Sequence, residues 1–151
     1  MTPDHDDANR ATALECTLRV RYGECDPQGV VFNAHFLSYF DIAVTELFRA
    51  AFGGYQAMTD RGVDFVVAEA GLRYRAPAHF DDELTLTITV TRIGTTSLTT
   101  RYRIRRDDDV LVEGDVRHVL IDRQKLARHD PDHKAHIPTW MRQQLQPYVA
   151  A

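Results

Sequence analysis

Cysteine is scarce: the chain carries only Cys16 and Cys25, nine residues apart and without neighbouring ligands at metal or redox spacing. A disulfide scaffold and a zinc ribbon are therefore excluded, and a reducing cytoplasm is the expected compartment. No apolar run approaches the ~20 residues needed to span a bilayer. The opening residues, MTPDHDDANRA, are acidic rather than basic-then-apolar, so neither a membrane partner nor a secretory signal is expected. A basic tract is also missing, and the net charge is −4, which argues against nucleic acid as the main partner. It leaves room for a phosphate-bearing small molecule, which needs only a few local arginines. There is no internal repeat and no low-complexity segment. What remains is ordinary for a globular protein: 151 residues, 44% hydrophobic and 26% charged, enough for one domain with a real core.

Residues 1–13 are polar, acidic and without period, and read as a disordered tail before a single domain over 14–148. From 14 to 22, Leu14, Cys16, Leu18, Val20 and Tyr22 alternate with polar residues, the pattern of a half-buried strand. Gly23, Pro27 and Gly29 break it into a loop. A long helix is expected over 34–52, with Asn33 as N-cap and Gly53 as its stop. Apolar residues cover most of its circumference, leaving a narrow polar stripe of Ser38, Asp41, Thr45 and Arg49. Such a helix must be enclosed, and in this chain only a sheet could do it. Strands follow at 63–76, 84–92, 97–106 and 110–122, the last three joined by short turns into an antiparallel meander. Residues 123–136 read as a polar loop, and Pro138 opens a short final helix through Leu145. The layout is α+β: a five-stranded antiparallel sheet around one long central helix, with a short C-terminal helix. One sheet edge and part of the helix would still need cover, which a homodimer or homotetramer supplies.

The chemistry concentrates at 20–53, VRYGECDPQGVVFNAHFLSYFDIAVTELFRAAFG. Asp26 stands in a tight turn just before a helix N-terminus. That places a carboxylate beside unpaired backbone N–H groups carrying partial positive charge. The pair suits acyl transfer, in which a nucleophile or base and an oxyanion donor meet at one carbonyl. Read without the surrounding motif, Asp26 is better taken as a turn residue capping the loop ahead of Pro27.

Tyr22 to Phe32, YGECDPQGVVF, followed by a long helix, resembles the hotdog-fold acyl-CoA thioesterases of the 4-hydroxybenzoyl-CoA thioesterase type, the group that includes the Tol-Pal-associated thioesterases. The family pattern of an aspartate, a turn residue, a glycine, two aliphatics and an aromatic falls on Asp26, Pro27, Gly29, Val30, Val31 and Phe32. The tail around Ile137, Pro138 and Trp140 resembles the family's closing helix. The resemblance implies a hotdog fold and hydrolysis of an acyl- or aroyl-CoA to free acid and CoA. It implies Asp26 as nucleophile or general base and the Asn33 backbone N–H as oxyanion donor. Many relatives carry histidine or tyrosine where Asn33 stands, and a backbone donor does not depend on that side chain. No cofactor is implied, since CoA is part of the substrate, and no metal.

Other candidates weigh less. Asp41, eight residues after Asn33, falls near the place where another branch of the family keeps its catalytic acid on the helix, but it also belongs to the polar stripe. His35 could line the mouth of the site. Gly29, Val31, Phe32, Phe36, Tyr39 and Arg92 are candidate substrate contacts, although the aromatics serve equally well as core. Phe40 is the same kind of residue. Glu46 reads as a surface acid and Cys25 as inert packing. His129, His133 and His136 lie in the polar loop without a regular metal template. Arg92, Arg101, Arg103, Arg105 and Arg106 gather near the central hairpin, as phosphate contacts or as a solvated face. Two rival functions remain: a non-catalytic acyl-CoA-binding module, and a hotdog dehydratase or hydratase, for which no histidine–acid pair is apparent near the helix.

Overall fold

The computed structural model describes residues 13–150, so the tail expected over 1–13 lies, but for Ala13, outside the described residues. Strand β1 (Leu14–Arg19) leads through a 3₁₀ turn (Tyr22–Glu24) and a loop into helix α1 (His35–Phe52) and the short helix α2 (Tyr55–Thr59). Strands β2 (Val63–Tyr74), β3 (Glu83–Ile93), β4 (Ser97–Arg106) and β5 (Asp109–Asp122) follow, then helices α3 (Arg123–Ala127) and α4 (Thr139–Leu145). The strands form one five-stranded sheet in the order β1-β3-β4-β5-β2. Every neighbouring pair is antiparallel. None of the described helices is long and apolar enough to cross a membrane.

Alternation builds the inner face. Leu84, Leu86, Ile88 and Val90 of β3, Leu98, Tyr102 and Ile104 of β4, and Val112, Val116 and Leu120 of β5 are all buried. Helix α1 lies across this face, with Phe36, Tyr39, Phe40, Ala43, Val44, Leu47 and Phe48 buried against it. Phe40 stacks on Tyr102 at 4.3 Å between ring centroids, and Phe48 stacks on Phe65 of β2 at 5.6 Å. Directly under Phe40 the strand must have no side chain. A Cβ on Gly114 would stand 2.6 Å from Phe40 Cε2 and 2.5 Å from the Gly71 carbonyl oxygen. Gly53 stops α1 in the left-handed conformation, φ 87°. At the far end α4 is fastened to the β3–β4 turn by Arg142, whose guanidinium donates to the Gly94 carbonyl at 2.6 Å.

Several sequence expectations are corrected. β1 ends at Arg19, and Tyr22, assigned to its apolar parity, is 81% exposed because the chain has already turned. β2 ends at Tyr74 rather than 76. Asn33 does not cap α1; the N-cap is Ala34, without a side-chain hydrogen bond. The loop assigned to 123–136 contains α3, capped by the Asp122 carboxylate accepting from the Lys125 N–H at 2.9 Å. The outward stripe of α1 is not purely polar: Leu37 and Ile42 are 41% and 43% exposed beside Ser38, Asp41 and Thr45. β2, at the sheet edge, leaves Val66 and Val67 open as well. A helix that was expected to be enclosed by its sheet is thus enclosed on one side only.

Candidate active site

The loop before α1 is a tight hairpin. The Asp26 N–H donates to the Val30 carbonyl and the Gly29 N–H to the Asp26 carbonyl, both at 2.9 Å. Gly29 sits at φ 78°, a left-handed position that a side chain would strain. Cys25 bridges Val31, and Val30 in turn bridges His79 in the segment before β3. Strand alternation in this small three-stranded patch sends Cys25, Val31 and Ala78 one way and Asp26, Val30 and His79 the other. Val31 and Ala78 are buried and anchor the patch in the core, while His79 is exposed and Asp26 half-buried. The Asp26 carboxylate therefore stands on the open face, with Oδ1 accepting from the Gln28 N–H at 2.8 Å. That bond orients the carboxylate and leaves Oδ2 uncommitted among the described residues.

Phe32 donates its N–H to the Glu24 carbonyl at 3.0 Å, and His35 donates back to the Phe32 carbonyl at 2.9 Å. Between them, the Asn33 N–H has no acceptor among the described residues, which leaves a free backbone donor one residue ahead of the α1 N-cap. The Asn33 carbonyl is engaged instead, accepting from the Tyr74 hydroxyl at 3.0 Å. Free acid and free donor are seven residues apart in sequence, joined by one hydrogen-bonded loop.

The other candidates are distributed unevenly. His35 opens α1 half-buried, with its ring edge-on to Phe32 at 6.0 Å. Phe32 is 46% exposed beside the donor, whereas Phe36 and Tyr39 are buried in the core. The Tyr39 hydroxyl donates to Glu24 Oε1 at 3.1 Å. Asp41 lies on the outward stripe of α1, where desolvation pushes its carboxyl above the usual range. Glu46 pairs with Arg49 one turn on. Arg92 is exposed near the far end of β3, roughly 30 Å along the strand from Glu83, so one chain does not bring it to Asp26. The arginines of the central hairpin share the outer sheet face, where Arg101 meets Asp115 at 3.0 Å, Arg103 meets Glu113 at 3.5 Å and Arg105 meets Glu15 at 3.0 Å. Arg106 turns to Asp82 at 2.8 Å. Each of these four arginines thus has a carboxylate partner. Among the described residues no three His, Cys, Asp or Glu side chains gather closely enough to hold a metal ion.

Two features escaped the sequence reading. His79 Nδ1 lies 3.8 Å from Asp82 Oδ2, a histidine–acid pair one strand from the Asp26 turn. Burial alone would raise the Asp82 carboxyl, but the His79 N–H and the Arg106 guanidinium outweigh it and hold its pKa low. Both residues fall in 77–82, a stretch with no period to read. A groove of about 720 Å³ also opens beside Glu24, between the end of β1, Ile42 of α1 and Phe80. Asp26 is not among its lining residues.

A family model described as "Thioesterase superfamily" matches residues 28–113, beginning two residues after Asp26. The acyl-CoA thioester hydrolase YbgC of Escherichia coli is 33% identical over 116 residues, covering 76% of this chain and 87% of the relative. A hypothetical protein from Thermus thermophilus superposes with a TM-score of 0.79 at 30% identity, over 89% of this chain and 98% of that one. At 21% identity, a 1,4-dihydroxy-2-naphthoyl-CoA thioesterase from Synechocystis shares the fold, with a TM-score of 0.76 over 89% of this chain and 96% of its own. The five strands curled over α1 are a hotdog fold, and the chain belongs to the thioesterase superfamily.

Proposed function

We propose that this protein hydrolyses the thioester of an acyl- or aroyl-CoA, giving the free acid and CoA. The observation that carries the reading is the pairing of an oriented, open Asp26 carboxylate with the unengaged N–H of Asn33 at the head of α1. The thioester carbonyl would accept from that N–H and be polarised by it. Asp26 then acts in one of two ways. As base it takes a proton from water while the oxygen attacks the carbonyl carbon. As nucleophile it forms a mixed anhydride that water opens. Either way the oxyanion forms against the Asn33 N–H, and its collapse expels the CoA thiolate, a good leaving group; the proton it takes up comes from the attacking water, by way of Asp26 in the first route and from the water that opens the anhydride in the second. One preorganised oxyanion donor of this kind contributes about 2.7–4 kcal/mol to lowering the barrier. The name of the E. coli relative, an acyl-CoA thioester hydrolase, supports the same reaction class.

The active form is a homodimer or a pair of dimers. Support comes from β2, an edge strand whose Val66 and Val67 are 41% and 56% exposed, and whose last residue, Tyr74, holds Asn33. Antiparallel pairing of two such edges would cover them and bring the partner close to the oxyanion donor.

A non-catalytic acyl-CoA-binding module is the second reading, favoured by the Asx turn that Asp26 makes with Gln28, since this alone would account for an aspartate here. Asp26→Asn separates the two. An amide oxygen keeps the bond to the Gln28 N–H, so the loop survives while the basic, nucleophilic oxygen is lost. Thiol release from a panel of aromatic and aliphatic acyl-CoA esters is expected in the parent and not in the variant. Acyl-CoA binding with no thiol release by the parent would favour the module.

A further inference from the structure

The loop that carries Asp26 and the residue that carries the donor N–H are tied to each other by a side chain outside the proposed chemistry. Glu24 stands two residues before Asp26 and makes three connections. Its Oε1 accepts from the Arg21 N–H at 2.7 Å, which closes the 3₁₀ turn leading into the loop. The same oxygen accepts from the Tyr39 hydroxyl at 3.1 Å, on the second turn of α1. Its backbone carbonyl accepts from the Phe32 N–H at 3.0 Å, one residue before Asn33.

The contacts continue into a closed circuit. Tyr39 is fully buried and meets Phe36 edge-on at 5.6 Å. Phe36 meets Tyr74 edge-on at 5.8 Å. The Tyr74 hydroxyl donates to the Asn33 carbonyl at 3.0 Å, so that peptide is fixed while the N–H of the same residue stays free. Asn33 follows Phe32, which returns to Glu24. A buried phenol requires an acceptor, and among the described residues Glu24 is the acceptor that Tyr39 has. A hydrogen bond to a carboxylate is stronger than one between neutral groups, which suits a tie that must hold position. Burial, then the Glu24 charge and the hydrogen bond to it, raise the Tyr39 pKa, so the phenol stays a donor throughout the neutral range.

We infer that Glu24 is a positioning residue: with Tyr39 it fixes where the Asp26 carboxylate stands relative to the Asn33 N–H. This rests on the proposed roles of Asp26 and Asn33. Neither Glu24 nor Tyr39 touches the substrate in this account; they act through the two groups that do. Reacting groups misplaced by about 1 Å lose on the order of a hundredfold in rate.

The test compares Glu24→Ala, Glu24→Gln, Tyr39→Phe and the Glu24→Ala/Tyr39→Phe double variant in full-length protein, with Asp26→Asn in parallel. Thiol release is followed from whichever of benzoyl-CoA and butanoyl-CoA the parent hydrolyses faster, at a temperature where circular dichroism finds each variant folded. Glu24→Ala is expected to lower kcat by roughly a hundredfold, with KM within about threefold of the parent. Glu24→Gln keeps an acceptor oxygen and is expected to restore most of kcat. Tyr39→Phe, which loses only a hydroxyl, should fall to a similar level, and the double variant should be no worse than the worse single, because one tie is being broken twice. The inference is overturned if Glu24→Ala or Tyr39→Phe keeps the parental kcat, if the losses multiply in the double variant, or if KM rises while kcat holds. Parental rates in Asp26→Asn would sink the reading of the site itself. An inactive Asp26→Asn beside a fully active Glu24→Ala would sink only the role of Glu24.

Discussion

Acidification should unfold this protein in part through one residue, His118. It faces inward on β5, 4% exposed, beside Leu98 of β4 and edge-on to the Phe65 ring at 6.0 Å. Its Nδ1 has no hydrogen-bond partner among the described residues. Burial in these surroundings opposes the imidazolium and pushes the pKa down from 6.5 to about 4. The unfolded chain therefore binds a proton below about pH 6.5 that the native state refuses until about pH 4, and stability falls as pH drops between the two. The gap corresponds to about 3 kcal/mol in total, of which about 2 kcal/mol is lost between pH 7 and pH 5. Above pH 6.5 the contribution is complete and does not change further. Asp41, whose carboxyl burial pushes up, also takes on its proton as the pH falls, so the measurement is a difference. Urea midpoints of the parent and of His118→Leu are taken at pH 7 and pH 5. The variant removes a buried, unpartnered nitrogen, so at pH 7 it should be at least as stable as the parent to within about 1 kcal/mol. At pH 5 it should lead by about 2 kcal/mol more than at pH 7. Equal pH dependence in the two proteins would refute the reasoning, and a His118 resonance titrating near 6.5 in the folded state would do so directly.

Gly114→Ala should destabilise the fold by about 1–3 kcal/mol, because its Cβ would meet both the Phe40 ring and the backbone of Gly71; a urea midpoint equal to the parent's would contradict the packing described. Val67→Lys on the outer edge of β2 is expected to shift the mass in light scattering from dimer towards monomer and to lower thiol release with it. A parent that is monomeric and fully active at all concentrations would dispose of the proposed dimer. Gly29→Val should lower kcat while leaving most of the stability in place, since it strains only the turn that orients Asp26; an unchanged kcat would separate the turn from the chemistry.

The strands were the readable part of the sequence because their alternation is long and regular. Leu84, Leu86, Ile88 and Val90 lie buried on one side, as their parity requires, and Arg101, Arg103 and Arg105 lie on the other. Helix α1 was legible from its apolar circumference and from Gly53. Its cap was not, because Asn33 is a favourable capping residue by type, yet its peptide is held by Tyr74 from 41 residues away. The short helices α2 and α3 span five residues each, too few to establish a period. Leu37 and Ile42 mislead for a different reason: their apolar character concerns a surface that one chain leaves open. His118 was within reach, since it shares the inward parity of Val116 and Leu120, but nothing local predicts that its Nδ1 goes unpartnered. At the site, Asp26 and Asn33 stood out by motif. Glu24 and His79 did not, because their partners Tyr39 and Asp82 are fixed only by the fold and the turn.

The account depends most on Asp26, and one measurement addresses it directly. Single-turnover thiol release from an acyl-CoA ester that the parent cleaves is compared in the parent and in Asp26→Asn, with equal unfolding midpoints as the control for an intact loop. Loss of release by a thousandfold or more (about 4 kcal/mol of barrier) in a variant that still binds the ester is the predicted result. Release at the parental rate from a folded Asp26→Asn would contradict the central claim.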